Sequence, residues 1–88
     1  MVSVYRHLPA VADILSGKCT TQVKGTDQIN AIISSLLSCI AKRGAEVTGR
    51  ELENVCRYAS RFLADFSSLF FRRMMKIEGM NLKLVKIF

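Results

Sequence analysis

Histidine and the acidic residues, on which most enzymes depend for acid–base catalysis, are scarce in this sequence of 88 residues. It contains one histidine, one proline and no tryptophan, and only 7 acidic residues stand against 13 lysines and arginines. The single histidine, His7, has no nucleophile or acid at a useful local spacing, so a catalytic pair would depend on a contact made by the fold. We therefore predict no catalytic residues, no enzyme activity, no small-molecule substrate and no cofactor.

Long apolar runs are also missing. A helix that crosses a bilayer needs about 20 apolar residues, whereas the longest uncharged segment, residues 28–41, is shorter and includes serines and an asparagine. Near the N-terminus, Arg6 and His7 are followed by only a short apolar stretch before Asp13, which is not the pattern of a secretory signal. We expect a cytoplasmic protein.

Cysteine occurs three times, at Cys19, Cys39 and Cys56, with no CxxC spacing. The odd number argues against the disulfide framework of a secreted domain. The wide gaps and the single histidine do not match the ligand pattern of a structural zinc site. We therefore expect reduced thiols and no bound metal.

The size of the chain limits it to one domain. A mass of 9.9 kDa supports a single modest core, and an apolar fraction of 50% is too high for a disordered chain. We predict a single helical domain over residues 1–88 with a basic C-terminal tail at about residues 79–88. The pattern of the tail fits a short strand as well as a last helical turn.

Glycines divide the chain into three predicted helices, at about residues 8–16, 27–43 and 49–78. In the second helix, apolar residues recur at helical spacing and form one stripe. This stripe consists of Ile29, Ile32, Ile33, Leu36, Leu37 and Ile40. The third helix begins with a capping box, in which Thr48 and Glu51 satisfy each other's backbone N–H groups. We predict an all-α fold in which the second and third helices form an antiparallel hairpin and the first packs over it.

The third predicted helix is too long for a domain of this size. Its length would be about 45 Å, whereas a globule of this chain length has a diameter of roughly 31 Å. Either the helix breaks, near Ser67 and Ser68, or its far end is covered by another chain. The second possibility would make the protein a dimer.

Phenylalanine and methionine are concentrated between residues 62 and 75. A helix that is apolar over so much of its circumference needs cover on more than one side. These residues are either an intramolecular core or an interface, and we favour an interface with a partner or a second copy because aromatic residues and methionine are enriched there. The predicted interface residues are Phe62, Phe66, Leu69, Phe70, Phe71, Met74 and Met75.

Most of the excess positive charge lies next to this segment, towards the C-terminus. A basic cluster of this kind contacts nucleic acid or an acidic partner, or it forms a solvated rim. The residues in question are Arg72, Arg73, Lys76, Lys83 and Lys86.

These features support three hypotheses for function. The first is a small non-enzymatic adaptor or regulator that acts through protein–protein contact, as a homodimer. The alternative is a DNA- or RNA-binding regulator. Its weakness lies in the third helix, where Arg50, Arg57 and Arg61 share a face but acids are expected to counterbalance them. Glu53 is an i, i+4 partner of Arg57, and Asp65 is an i, i+4 partner of Arg61. The second alternative is an amphipathic contact with a membrane surface through residues 69–88.

Overall fold

The computed structural model describes residues 8–18, 23 and 25–87, and these residues contain helices and no strand. The elements in chain order are α1 (Leu8–Ser16), α2 (Thr26–Arg43), a 3₁₀ helix (Gly44–Glu46), α3 (Gly49–Phe62), a second 3₁₀ helix (Ala64–Phe66), α4 (Ser67–Met75) and α5 (Met80–Ile87). The all-α prediction is confirmed. The prediction of three helices is wrong, because the described residues form five α-helices.

The apolar stripe predicted for the second helix is buried along α2. All its members are buried except Ile29, which packs against the core from the edge. The helix begins at Thr26, after Gly25, which has no side chain with which to cap it. At the other end Gly44 adopts a φ of 55° and donates its N–H to the carbonyl of Ile40, so α2 ends where the sequence predicts.

The capping box at the start of α3 is confirmed. The Thr48 hydroxyl accepts a hydrogen bond from the Glu51 N–H at 3.1 Å, and Glu51 Oε1 accepts one from the Thr48 N–H at 2.9 Å. Val47 and Leu52, on either side of the box, are both buried. These contacts fix where the chain enters α3 after the turn from α2.

The single long helix predicted over residues 49–78 is wrong, because the chain turns between α3 and α4. α3 ends at Phe62, and the turn is closed by a hydrogen bond from the Phe66 N–H to the Leu63 carbonyl at 2.9 Å. The domain measures 31 Å along its longest axis, so a straight helix of that length would have left the core. The predicted alternative of a break therefore holds, although the break lies just before Ser67 and Ser68.

Residues 80–87 of the predicted tail form a packed helix. Gly79, with a φ of 85°, turns the chain after α4. α5 then packs against α3 and α4, and it buries Met80 and Leu84 almost completely. The alternative of a short strand is therefore wrong.

α1 packs most extensively against α3 and also packs against α2. The predicted packing of α1 over α2 and α3 is confirmed, whereas the central hairpin of the second and third helices is not confirmed. A polar contact reinforces the packing of α1 on α3, because Asn54 Nδ2 on α3 donates to the Leu15 carbonyl on α1 at 2.8 Å. That carbonyl lies at the end of α1, where backbone acceptors lack intrahelical partners.

Candidate functional site

Two residues of the predicted aromatic interface lie in the core of the chain itself. Phe70 and Met74 have no exposed surface, and the Phe70 ring lies 5.8 Å from the ring of its neighbour Phe71. The turn before α4 folds this helix back onto α2 and α3, so its most apolar side is covered from within the chain. As the chain is folded, these two side chains are not available to a partner.

The other five predicted interface residues divide into two groups. Phe62, Phe66 and Phe71 are half-buried and pack against the core from its edge. Leu69 and Met75 are at the surface, with 44% and 52% of their area exposed. The structure thus leaves a smaller apolar area on α4 than the sequence predicts.

The most exposed large apolar side chains in the described residues lie on α5 instead. Leu82 and Val85 are each 70% exposed. Their i, i+3 spacing puts them on neighbouring positions of the helix surface, away from the side that buries Met80 and Leu84. The sequence did not single them out as protein-interface residues, because residues 79–88 were treated as a tail; they entered only through the membrane alternative over residues 69–88. The signal was present in the i, i+4 spacing of Met80 and Leu84, which share one helix face that excludes Leu82 and Val85.

We refer to the four exposed apolar residues of α4 and α5 as the α4–α5 surface. It consists of Leu69, Met75, Leu82 and Val85. The two helices that carry it are in direct contact.

Basic side chains accompany the α4–α5 surface. Arg72, Arg73, Lys76 and Lys86 are exposed, and none of them forms an ion pair with another described residue. The acid closest to them in sequence, Glu78, lies in the turn between the two helices. The exposed part of α4 and α5 is therefore apolar and cationic.

Lys83 differs from the other predicted basic contacts. Its ammonium donates hydrogen bonds to the Ala45 carbonyl at 2.8 Å and to the Val47 carbonyl at 2.7 Å. These contacts join α5 to the turn between α2 and α3, across a large separation in sequence. The role that the structure gives Lys83 is to hold α5 on the domain.

The acids of α3 do not neutralise its arginines as predicted. Within the described residues the ion pair that forms is Arg43 with Glu51, in which the two terminal guanidinium nitrogens donate to the two carboxylate oxygens, at 2.7 and 2.9 Å. The Arg43 guanidinium, with help from the Thr48 N–H, lowers the pKa of Glu51 to about 2. The predicted pairs of Arg57 with Glu53 and of Arg61 with Asp65 are absent.

Helix geometry explains the loss of the second pair. α3 ends at Phe62, so Asp65 lies in the following 3₁₀ turn and no longer occupies the i+4 position on the helix of Arg61. The Arg61 guanidinium instead lies 5.4 Å from the centre of the Phe62 ring. This distance is within the range of a cation–π contact.

The described cysteines are free thiols. Cys56 is buried, and desolvation raises its pKa to about 11, so it is a poor nucleophile. Cys39 is half-buried. Cys19 and His7 lie outside the described residues. Within the part of the chain that the structure describes, no three cysteine, histidine or acidic side chains are grouped so that they could hold a metal, and no helix is both long and apolar enough to cross a membrane.

Comparison of this chain with profiles of known protein families, with characterised proteins and with solved structures finds no match. Any functional conclusion therefore rests on the surfaces described above.

Proposed function

We propose that this protein is a small non-enzymatic adaptor or regulator that binds another protein through the α4–α5 surface. The exposure of Leu82 and Val85 supports this most strongly. The two aliphatic side chains lie next to each other on the side of α5 that does not pack on the core. Clusters of exposed apolar residues with polar neighbours are characteristic of interaction sites.

The charge around the surface indicates an acidic partner. Arg72, Arg73, Lys76 and Lys86 are exposed without internal ion pairs, so acidic side chains on a partner would find cations available at the rim of the apolar area. In a two-fold symmetric dimer the same patch meets itself. Such a dimer would bring these cations together, and we therefore favour an acidic protein over the homodimer predicted from the sequence.

The two kinds of contact contribute differently to binding. Full burial of a leucine or valine contributes about 1.5–3 kcal/mol, so Leu82 and Val85 supply most of the affinity and control dissociation. The exposed arginines at the rim act mainly on the association rate and its salt dependence. Variants of Leu82 and Val85 should therefore change mainly the dissociation rate, and variants of the exposed arginines mainly the association rate.

The experiment is affinity capture from lysate with the wild-type protein and with Leu82→Ser/Val85→Ser, followed by identification and direct titration of any protein retained only by the wild type. The control Ala12→Ser/Ala41→Ser changes two exposed apolar residues on α1 and α2. We expect the α5 variant to weaken the titrated complex at least about tenfold and the control to leave it unchanged.

The rim is tested by Arg72→Ala/Arg73→Ala, which should lower the association rate at low salt more than it raises the dissociation rate. The proposal fails if the α5 variant binds every captured protein as well as the wild type does. It also fails if light scattering shows a wild-type dimer that Leu82→Ser/Val85→Ser dissociates, because the surface then serves self-association. Binding to vesicles of anionic lipid that the same variant abolishes, with no protein captured, would favour the membrane alternative instead.

A further inference from the structure

A groove runs along the seam between α1 and α3 and uses none of the α4–α5 surface. Asn54 borders two hollows that follow each other along this seam, of about 320 Å³ and about 110 Å³. Arg50 lines the first hollow, and Arg57 and Arg61 line the second. Ile14 and Gly17 of the α1 side close the second hollow opposite these arginines.

Three arginines of α3 form a row along this groove. Arg50, Arg57 and Arg61 are at i, i+7 and i+11, which places them on one face of a straight helix, and all three are exposed. None of them has an ion-pair partner among the described residues, because Glu51 is engaged by Arg43 and the expected pairs with Glu53 and Asp65 do not form. The groove therefore carries three guanidinium groups without an ion-pair partner, and the Arg43–Glu51 ion pair borders its first hollow.

The spacing of the row suits a chain of phosphates. At 1.5 Å per residue the three positions are separated along the helix axis by about 10 Å and about 6 Å. An unpaired nucleic-acid strand is not held at the fixed 3.4 Å rise of a duplex, so the distances between its phosphates can adjust to both separations. Guanidinium groups present a fork of donors that matches phosphate oxygens, and they are the preferred phosphate ligands where geometry is fixed.

The end of the groove at Arg61 adds a stacking position. The Arg61 guanidinium lies over the Phe62 ring at 5.4 Å, and the Tyr58 ring lies 4.8 Å from Phe62, centre to centre. This stack supports the guanidinium from beneath, and its outer side offers a planar cationic surface of the kind on which unpaired bases stack. Because the bases of a duplex are already paired and stacked, this stacking position favours a single strand over a duplex.

From these features we infer that the α1–α3 groove binds single-stranded nucleic acid, with Arg50, Arg57 and Arg61 each contacting a phosphate. This site is independent of the proposed protein contact, because it shares no residue with the α4–α5 surface. From the sequence, nucleic-acid binding was the weaker alternative because Glu53 and Asp65 were expected to neutralise arginines of this row. Those ion pairs do not form.

Fluorescence anisotropy with a labelled dodecamer of deoxythymidine tests the inference on the full chain. Three phosphate contacts predict a slope of log K against log salt of about −2 for a single strand. Arg57→Ala/Arg61→Ala should weaken binding at 50 mM salt by at least about tenfold and reduce the slope to about −0.7. The variant Arg57→Lys/Arg61→Lys, which keeps the charge but not the fork, should retain the slope while losing part of the affinity.

The matched control is Arg72→Ala/Arg73→Ala, which lowers the formal net charge from +6 to +4, as the groove variant does, but on α4. We expect it to retain wild-type affinity within about twofold. The inference is overturned if both variants weaken binding equally, because net charge alone then explains it. It is also overturned if the wild type does not bind at 50 mM salt or binds the matching duplex more tightly than the single strand. All four arginines are exposed, and circular dichroism confirms that each variant is folded.

Discussion

Replacing Phe70 by alanine removes a ring that has no exposed surface and that lies between α4 and the rest of the core. Truncation of a buried phenylalanine to alanine costs about 3–5 kcal/mol, from the lost transfer of the ring out of water and from the cavity that remains. A chain of this length has a free energy of unfolding of about 4–13 kcal/mol. The substitution should therefore remove a large part of the total stability.

The assay is thermal and urea unfolding followed by far-UV circular dichroism. A loss of 3 kcal/mol corresponds to a fall in melting temperature of roughly 12 °C or more for a domain of this size. The control is Leu69→Ala on the same helix. Because Leu69 is 44% exposed, its truncation should cost less than about 1 kcal/mol.

If Phe70→Ala and Leu69→Ala destabilised the protein equally little, Phe70 would not be a core residue. If Phe70→Ala also dissociated an oligomer without loss of melting temperature, the interface predicted from the sequence would be right after all.

Three further predictions concern polar and thiol groups. The pKa of Glu51 is lowered from 4.5 to about 2. The stability that its carboxylate contributes is therefore fully present above about pH 4.5 and is lost as the pH falls through 2. Glu51→Gln should cost about 1–2 kcal/mol of unfolding free energy at pH 7 and flatten the acid side of a pH–stability profile. Lys83→Met should cost about 1–2 kcal/mol in urea unfolding through the loss of two charged hydrogen bonds, whereas Lys86→Met, at an exposed site, should stay within about 0.5 kcal/mol. In the folded protein Cys56 should react with a thiol reagent much more slowly than Cys39, as followed by mass spectrometry, and rapid labelling of Cys56 would show that it is not in the core.

Local signals in the sequence identify those features that depend on neighbouring residues. The capping box at Thr48 and Glu51 needs only four consecutive residues, and it forms as predicted. The stripe of α2 needs only helical periodicity, and it is buried as predicted. Both features can be read from neighbouring residues, without knowledge of the tertiary contacts.

The break after Phe62 could not be located in this way. No glycine or proline interrupts residues 50–78, and the apolar stripe continues through the break, so helical periodicity gives no indication of it. The chain turns there because Leu63 and Phe70 both reach the same core in a domain only 31 Å long. This is a constraint of tertiary packing, which overrides local helix propensity.

The candidate site was predicted only in part, for the same reason. A high density of phenylalanine identifies residues that must be covered, but not whether the same chain or another covers them. The break lets the chain cover Phe70 and Met74 itself. Leu82 and Val85 remain exposed because α5 packs through Met80 and Leu84, and that orientation follows from the position of the whole helix on the domain.

Side-chain footprinting with a photoactivated carbene tests whether the exposed side of α5 is a contact surface for another protein. In the free protein we predict strong labelling of Leu82 and Val85 and none of Met80 or Leu84. Addition of the captured partner should protect Leu82 and Val85 while leaving exposed residues of α2 labelled. Weak labelling of Leu82 and Val85 in the free protein, or labelling that the partner does not change, would contradict the account.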